Sequence, residues 1–148
     1  MNLQTQWIIG FIDGKGSFNV SIKNGNKVGL SLCNNDNNIN DIITEFSVLE
    51  NYENLKVLYA LKKKFGCGTI KQNQDNLYLY SIKNNKHLYE KVIPFFEKHK
   101  LKTIKRIDFE KFRYIVISVH NNSFNGEEIN SENFKDLKKY IIDWFYKN

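Results

Sequence analysis

Apolar and polar positions change their period several times along the chain. Between Gln4 and Asp13, the residues Trp7, Ile8, Ile9, Phe11 and Ile12 crowd around Gly10, which predicts a short apolar helix. The glycines of Gly14-Lys15-Gly16 must stop it. Ser17 to Lys23 alternates, with Phe18, Val20 and Ile22 on one side and Asn19, Ser21 and Lys23 on the other, the pattern of a half-buried strand. Asn24-Gly25 reads as a hairpin turn into a second strand over 27–33. The run Asn34-Asn35-Asp36-Asn37-Asn38 marks a polar loop insertion over about 34–41, and Ile42 to Glu50 returns to strand character. Tyr52 to Phe65 carries Leu55, Leu58, Leu61 and Phe65 at helix spacing, with Gly66 as its stop. Thr69 to Asn73 and Leu77 to Lys83 form two short strands around an Asp75-Asn76 turn. Asn85 to Lys98 reads as a helix kinked or broken at Pro94. Thr103 caps a helix holding Ile107, Phe109, Phe112, Val116 and Val119. Asn121 to Asn130 reads as loop, and Ser131 caps a last helix with Phe134, Leu137, Ile141 and Trp144.

The order is helix, two strands, helix, two strands, helix, then further helices. Strands in hairpin pairs predict an α+β fold, an antiparallel four-stranded sheet with helices on one face. A length of 148 residues suits a single domain over 1–148. The second sheet face must be wet or bound to something. Its expected side chains are Asn19, Ser21, Lys23, Glu45, Ser47, Lys71, Asn73, Asn76, Tyr78 and Tyr80, hydrogen-bonding types with few acids. Such groups can address base edges, and lysine also engages phosphate.

Charge sharpens the picture. Lys and Arg number 22 against 16 Asp and Glu, a net charge of +6, which favours a polyanionic partner. Arg106 and Arg113 are the only arginines, so 20 of the 22 basic residues are lysine. Together with abundant Asn, Ile, Tyr and Phe this points to AT-rich codons and an organellar, mitochondrial gene. No apolar run approaches the roughly 18 residues of a membrane span, so no membrane partner is expected. Cys33 and Cys67 make neither a disulfide framework nor a paired-cysteine metal motif, which suits a reducing intracellular compartment. A small-molecule enzyme finds little support, with no phosphate loop, nucleophile motif or metal-spaced histidine pair.

Ile8-Ile9-Gly10-Phe11-Ile12-Asp13-Gly14-Lys15-Gly16-Ser17-Phe18 resembles the signature of the LAGLIDADG homing endonucleases. Three later segments continue the resemblance in order: Leu61 to Gly68, Ile93-Pro94-Phe95-Phe96-Glu97-Lys98 and Lys105-Arg106-Ile107-Asp108-Phe109. It covers nearly the whole chain apart from the Asn-rich insertion. The resemblance implies a saddle-shaped sheet seated in the DNA major groove, with signature helices packed against one another. Trp7, Ile9, Gly10, Asp13 and Gly14 would then line that helix pair, with Ile9, where the family often has Ala, holding it slightly wider. One motif implies a homodimer and a near-palindromic double-stranded DNA target.

In the family the eighth motif position is acidic and binds Mg²⁺, which activates water. Here that position is Lys15, and an ammonium cannot ligate a cation. The carbonyl of Gly14 is a poor substitute as a metal ligand, and Asp13 occupies a mostly structural position. Glu50 matches a position that orients water, and Lys102, with Lys105 as a near alternative, matches a basic residue beside the scissile phosphate. Opposite charge permits Lys15 and Glu50 to pair. The expectation is a sequence-specific nucleic-acid binder of the homing-endonuclease type whose metal-dependent phosphodiester cleavage is lost or impaired. The alternative is an RNA-binding derivative, an intron maturase or a ribosome-associated protein. It would hold structured RNA through helical surfaces such as Lys98, Lys100, Lys102, Lys105 and Arg106, because the A-form major groove is too narrow for a sheet.

Overall fold

The computed structural model describes residues 2–22, 41–124 and 131–146, with side chains except at 122–124 and 131–134. Helix α1 (Thr5–Lys15) runs without a connecting residue into strand β1 (Gly16–Ile22). Strand β2 (Ile42–Asn51) passes through a 3₁₀ turn, Tyr52–Asn54, into α2 (Leu55–Phe65). The hairpin of β3 (Thr69–Gln74) and β4 (Leu77–Ile82) follows, then α3 (Asn85–His87), α4 (Ile93–Lys98), α5 (Lys105–Phe124) and α6 (Ser131–Ile141). The four strands form one antiparallel sheet in the order β1-β2-β4-β3. This is the expected α+β arrangement. The described partner of β1 is β2, from Gly16 opposite Val48 to Ile22 opposite Ile42. Lys23, the Asn24-Gly25 turn, the strand over 27–33 and all of the 34–41 insertion but Asp41 lie outside the described residues.

Local chemistry explains the punctuation. Gly66 ends α2 in the left-handed region at φ 75°, and its N–H donates to the Lys62 carbonyl, the usual glycine stop. Proline can neither donate a hydrogen bond nor tolerate the carbonyl four residues back. The chain accommodates Pro94 by widening the preceding turn, Leu88–Val92, into a π-helix, so α3 and α4 join through that turn. The Thr103 hydroxyl accepts from the Lys105 N–H at the start of α5. That helix continues to Phe124, three residues beyond the loop boundary expected at Asn121.

One sheet face carries the core. Phe18, Val20, Ile42, Phe46, Val48, Tyr80 and Ile82 are buried and share a side. Against them pack Ile8, Ile9 and Ile12 of α1, Leu58, Leu61 and Phe65 of α2, and Phe109, Phe112, Ile115 and Val116 of α5. The Phe18 ring meets those of Phe46, Phe96, Phe109 and Phe112 at centroid separations of 5.2–5.7 Å, within the range aromatic pairs favour. Each such ring buried contributes about 1.5–3 kcal/mol. Ile107, expected in the α5 core stripe, is exposed, and Ile115 takes its place.

Candidate nucleic-acid interface

Two regions carry the chemistry: the C-terminal end of α1 and the sheet face opposite the core. At the helix end, Lys15 Nζ donates to both carboxylate oxygens of Glu50, at 3.0 and 2.9 Å. Glu50 shares a side with Phe46 and Val48, so the pleat turns its carboxylate inward, where it is 2% exposed. The Lys15 side chain is 48% exposed. Burial pushes the Glu50 pKa up. Hydrogen bonds from Lys15, the Asn51 N–H and Asn54, with the Lys15 charge, outweigh that and hold it below the ordinary carboxylate value. A cation in the last turn also complements the helix dipole.

The Asp13 carboxylate is engaged elsewhere. It accepts from the N–H of Lys102 at 2.8 Å, the N–H of Thr103 at 3.1 Å and the Thr103 hydroxyl at 2.8 Å, tying the loop before α5 to α1. Partial burial raises its pKa, but these bonds and the Lys105 charge prevail and lower it. Lys105 Nζ reaches the Gly16 carbonyl at 2.5 Å. Lys102 is exposed and meets this cluster through its backbone.

This donor set does not fit a divalent cation. Its one buried carboxylate is bridged by an ammonium, Asp13 already accepts three hydrogen bonds, and a single carbonyl such as that of Gly14 is a poor cage for a hard ion. Among the described residues, no three His, Cys, Asp or Glu side chains converge.

Among the described residues, no helix packs on the opposite sheet face. Strand pairing places Ser17, Asn19 and Ser21 of β1 on it, with Ile43, Glu45, Ser47, Leu49 and Asn51 of β2. From β4 it takes Leu77, Leu79 and Ser81, and from β3 Thr69, Lys71 and, past a bulge, Gln74. Ser47 and Ser81 face each other at the centre and are small enough to be shielded by their neighbours. Lys83, just beyond β4, lies 3.8 Å from Glu45. Asn73 sits at the bulge and Asn76 in the exposed hairpin turn.

Two expected members do not belong there. Tyr80 is 0% exposed and donates its hydroxyl to the Cys67 carbonyl at 2.7 Å, inside the core. Tyr78 shares that side and packs at the core margin. The reason is register: Ile82 pairs with Phe46, so every second residue back from Ile82 points inward. The sequence reading missed Leu77, Leu79 and Ser81 through this one-residue parity, and it also missed Leu49, Asn51 and Gln74. Counting alternation on from Glu45 along its own strand would have found Leu49 and Asn51, whereas the β4 set and Gln74, past the bulge, depend on strand pairing.

Helix α1 has its own open face. Trp7 is 46% exposed and stacks on Phe11, with ring centroids 4.9 Å apart. A Cβ at Gly10 or Gly14 would meet nothing within 4 Å. Ile9, expected on the same face, is buried in the core, so it cannot widen a helix pair.

Comparison with known proteins agrees with this geometry. Residues 8–116 match the LAGLIDADG endonuclease family. The "Probable intron-encoded endonuclease Cox1-I1b" of Schizosaccharomyces pombe is 31% identical over 147 residues, covering 92% of this chain and 34% of that protein. The DNA endonuclease I-CeuI of Chlamydomonas moewusii is 32% identical over 97 residues, covering 63% of this chain and 40% of its own. The chain thus spans about a third of the length of the curated relatives it matches. Among solved structures, the homing endonuclease I-TnaI superposes with TM-score 0.65 and 32% identity, over 95% of this chain and 99% of its own. I-GzeII, solved in complex with its DNA target, gives TM-score 0.77 at 21% identity over 96% and 44%, a likeness of fold. On the motif, the sheet and the match over residues 8–116 together, the chain belongs to the LAGLIDADG endonuclease family.

Proposed function

We propose that this chain is a sequence-specific double-stranded DNA-binding unit of the homing-endonuclease type, and that its own half of the catalytic centre has lost metal-dependent cleavage. The observation that carries the reading is the sheet face left open by the described helices and lined by Asn19, Glu45, Asn51, Lys71 and Gln74. Amide and carboxylate groups there can hydrogen-bond base edges, while Lys71 engages phosphate without sequence preference. The relative solved with its DNA target lends this support. The net charge of +6 supplies attraction to the backbone.

At the helix end the Lys15 ammonium stands where the family's cation-binding acid belongs. Its charge is taken up by Glu50 and it supplies no Lewis acid, so this helix end has nothing to activate water. Asp13, Glu50 and Lys102 act here as framework: Asp13 and the Lys102 backbone fix the loop to the helix, and Glu50 fixes Lys15. The open face of α1, with Trp7, Gly10 and Gly14, packs against a second unit of the same fold. In a homodimer that unit is another copy, and the target is near-palindromic. An organellar residence accords with the lysine-rich, AT-biased composition and with relatives that are intron-encoded endonucleases.

Selection of bound fragments from a random duplex pool, with structured RNA in competition, tests the reading. Enrichment of a duplex sequence is expected, and preference for structured RNA would overturn it. Incubating the selected duplex with Mg²⁺ or Mn²⁺ should leave it uncut. Efficient cleavage of both strands by the unaltered chain would defeat the loss of activity, whereas cleavage gained only by Lys15→Glu would support it.

A further inference from the structure

The uncovered sheet face is not uniformly polar. Leu49 pairs directly with Leu79, and Leu77 lies two residues from Leu79 on the same side. Leu49 is 40% exposed, and none of the three belongs to the core or to its partly buried margin. Single exposed leucines are ordinary. Three side by side on one face of neighbouring strands, framed by Asn51, Lys71 and Gln74, form an apolar ridge within a hydrogen-bonding surface.

We infer that Leu49, Leu77 and Leu79 determine specificity by packing against thymine C5-methyl groups on the floor of the major groove. The thymine methyl is the apolar group that the groove presents. A leucine there neither donates nor accepts, so it gains from a methyl and strips water from a polar base edge without replacing it. The ridge lies toward the Glu50 end of β2, the end tied to Lys15. The thymines therefore fall in the inner part of the half-site, near the junction with the second unit. Lys71, directly opposite Leu79, supplies the neighbouring phosphate contact.

The inference rests on the duplex-DNA reading above, and its test separates the two. Thymines in the selected duplex are replaced one at a time by deoxyuridine, which lacks only the methyl. Binding of the full chain is expected to weaken about four-fold at the ridge-facing positions and to stay unchanged elsewhere, the scale of one buried methyl group. The variant Leu49→Asn should retain folding, measured by circular dichroism, and lose that sensitivity at its own position. A duplex bound with equal strength whichever thymine is demethylated overturns the inference alone. So does a folded Leu49→Asn variant that keeps full sensitivity. Failure to retain any duplex in the pool overturns the DNA reading, and this inference with it.

Discussion

At the C-terminal end of α1, the polar groups find their counterparts within the chain. Lys15 pairs with Glu50, Asp13 holds two backbone N–H groups and a hydroxyl, and Lys105 caps the Gly16 carbonyl. On the outer sheet face, the side chains of Ser21, Asn51, Lys71 and Gln74 make no hydrogen bond or ion pair among the described residues. The difference separates two uses of polarity in one small fold. Groups satisfied internally stabilise the chain and are withdrawn from ligands. Groups left to water stabilise little and remain available for exchange with a partner.

The contrast can be broken at several points. The largest effect is expected from Lys15→Ala, which leaves the Glu50 carboxylate buried without its cation. Loss of about 2 kcal/mol in urea unfolding is expected, below the value for a fully buried pair because Lys15 is half in solvent. The double variant Lys15→Met with Glu50→Leu should recover most of that loss, since a packed apolar pair replaces the ionic one. Asp13→Ala should lower stability by about 1.5 kcal/mol by releasing the loop before α5, read in the same unfolding experiment.

Lys71→Ala should shift stability by less than about 0.5 kcal/mol. It should nevertheless weaken duplex binding about tenfold, and lower the slope of log affinity against log salt by about one. A stability loss at Lys71 as large as that at Lys15 would erase the distinction between the regions.

The smallest effect is a titration. Asp13 and Glu50 both have folded pKa values below their ordinary 3.8 and 4.5. Their contribution is therefore fully present above those ordinary values and lost as pH falls through the lowered ones. Stability should hold down to about pH 5 and decline below it. In Lys15→Ala, burial of Glu50 acts without the opposing ammonium and raises its folded pKa, so the Glu50 share of the acid decline should shrink or reverse. An unchanged acid limb in that variant would count against the pairing.

Most of the architecture is legible in the residues. The alternation of Phe18, Val20 and Ile22, the stop at Gly66, the Asp75-Asn76 turn and the strain at Pro94 each announce a local rule that the fold obeys. The second hairpin strand exposes the limit. In Leu77 to Ile82 both alternating sets are amphipathic, so hydropathy does not choose a face, and the tyrosine hydroxyls suggest the wrong one. The choice is made by pairing with β2 and by the Cys67 carbonyl, which accepts from the Tyr80 hydroxyl in the interior. Glu50 follows the same logic: a carboxylate at a strand end reads as exposed until its parity with Val48 turns it inward. Its bond to Lys15 spans 35 positions of chain, so charge alone could permit the contact but not place it.

Helix α1 hands over to β1 at Gly16 with nothing in between. The Gly16 N–H donates to Ile12, and an added Cβ there would sit 2.5 Å from the Ile12 side chain, so even one methyl would force the joint apart. Helix and strand consequently move as a single lever, without slack to absorb a tilt. Any neighbour that repositions α1 re-aims the first strand at whatever lies beneath it. Under the proposed role, a change in the unit packed on α1 would therefore also shift the strand offered to the duplex.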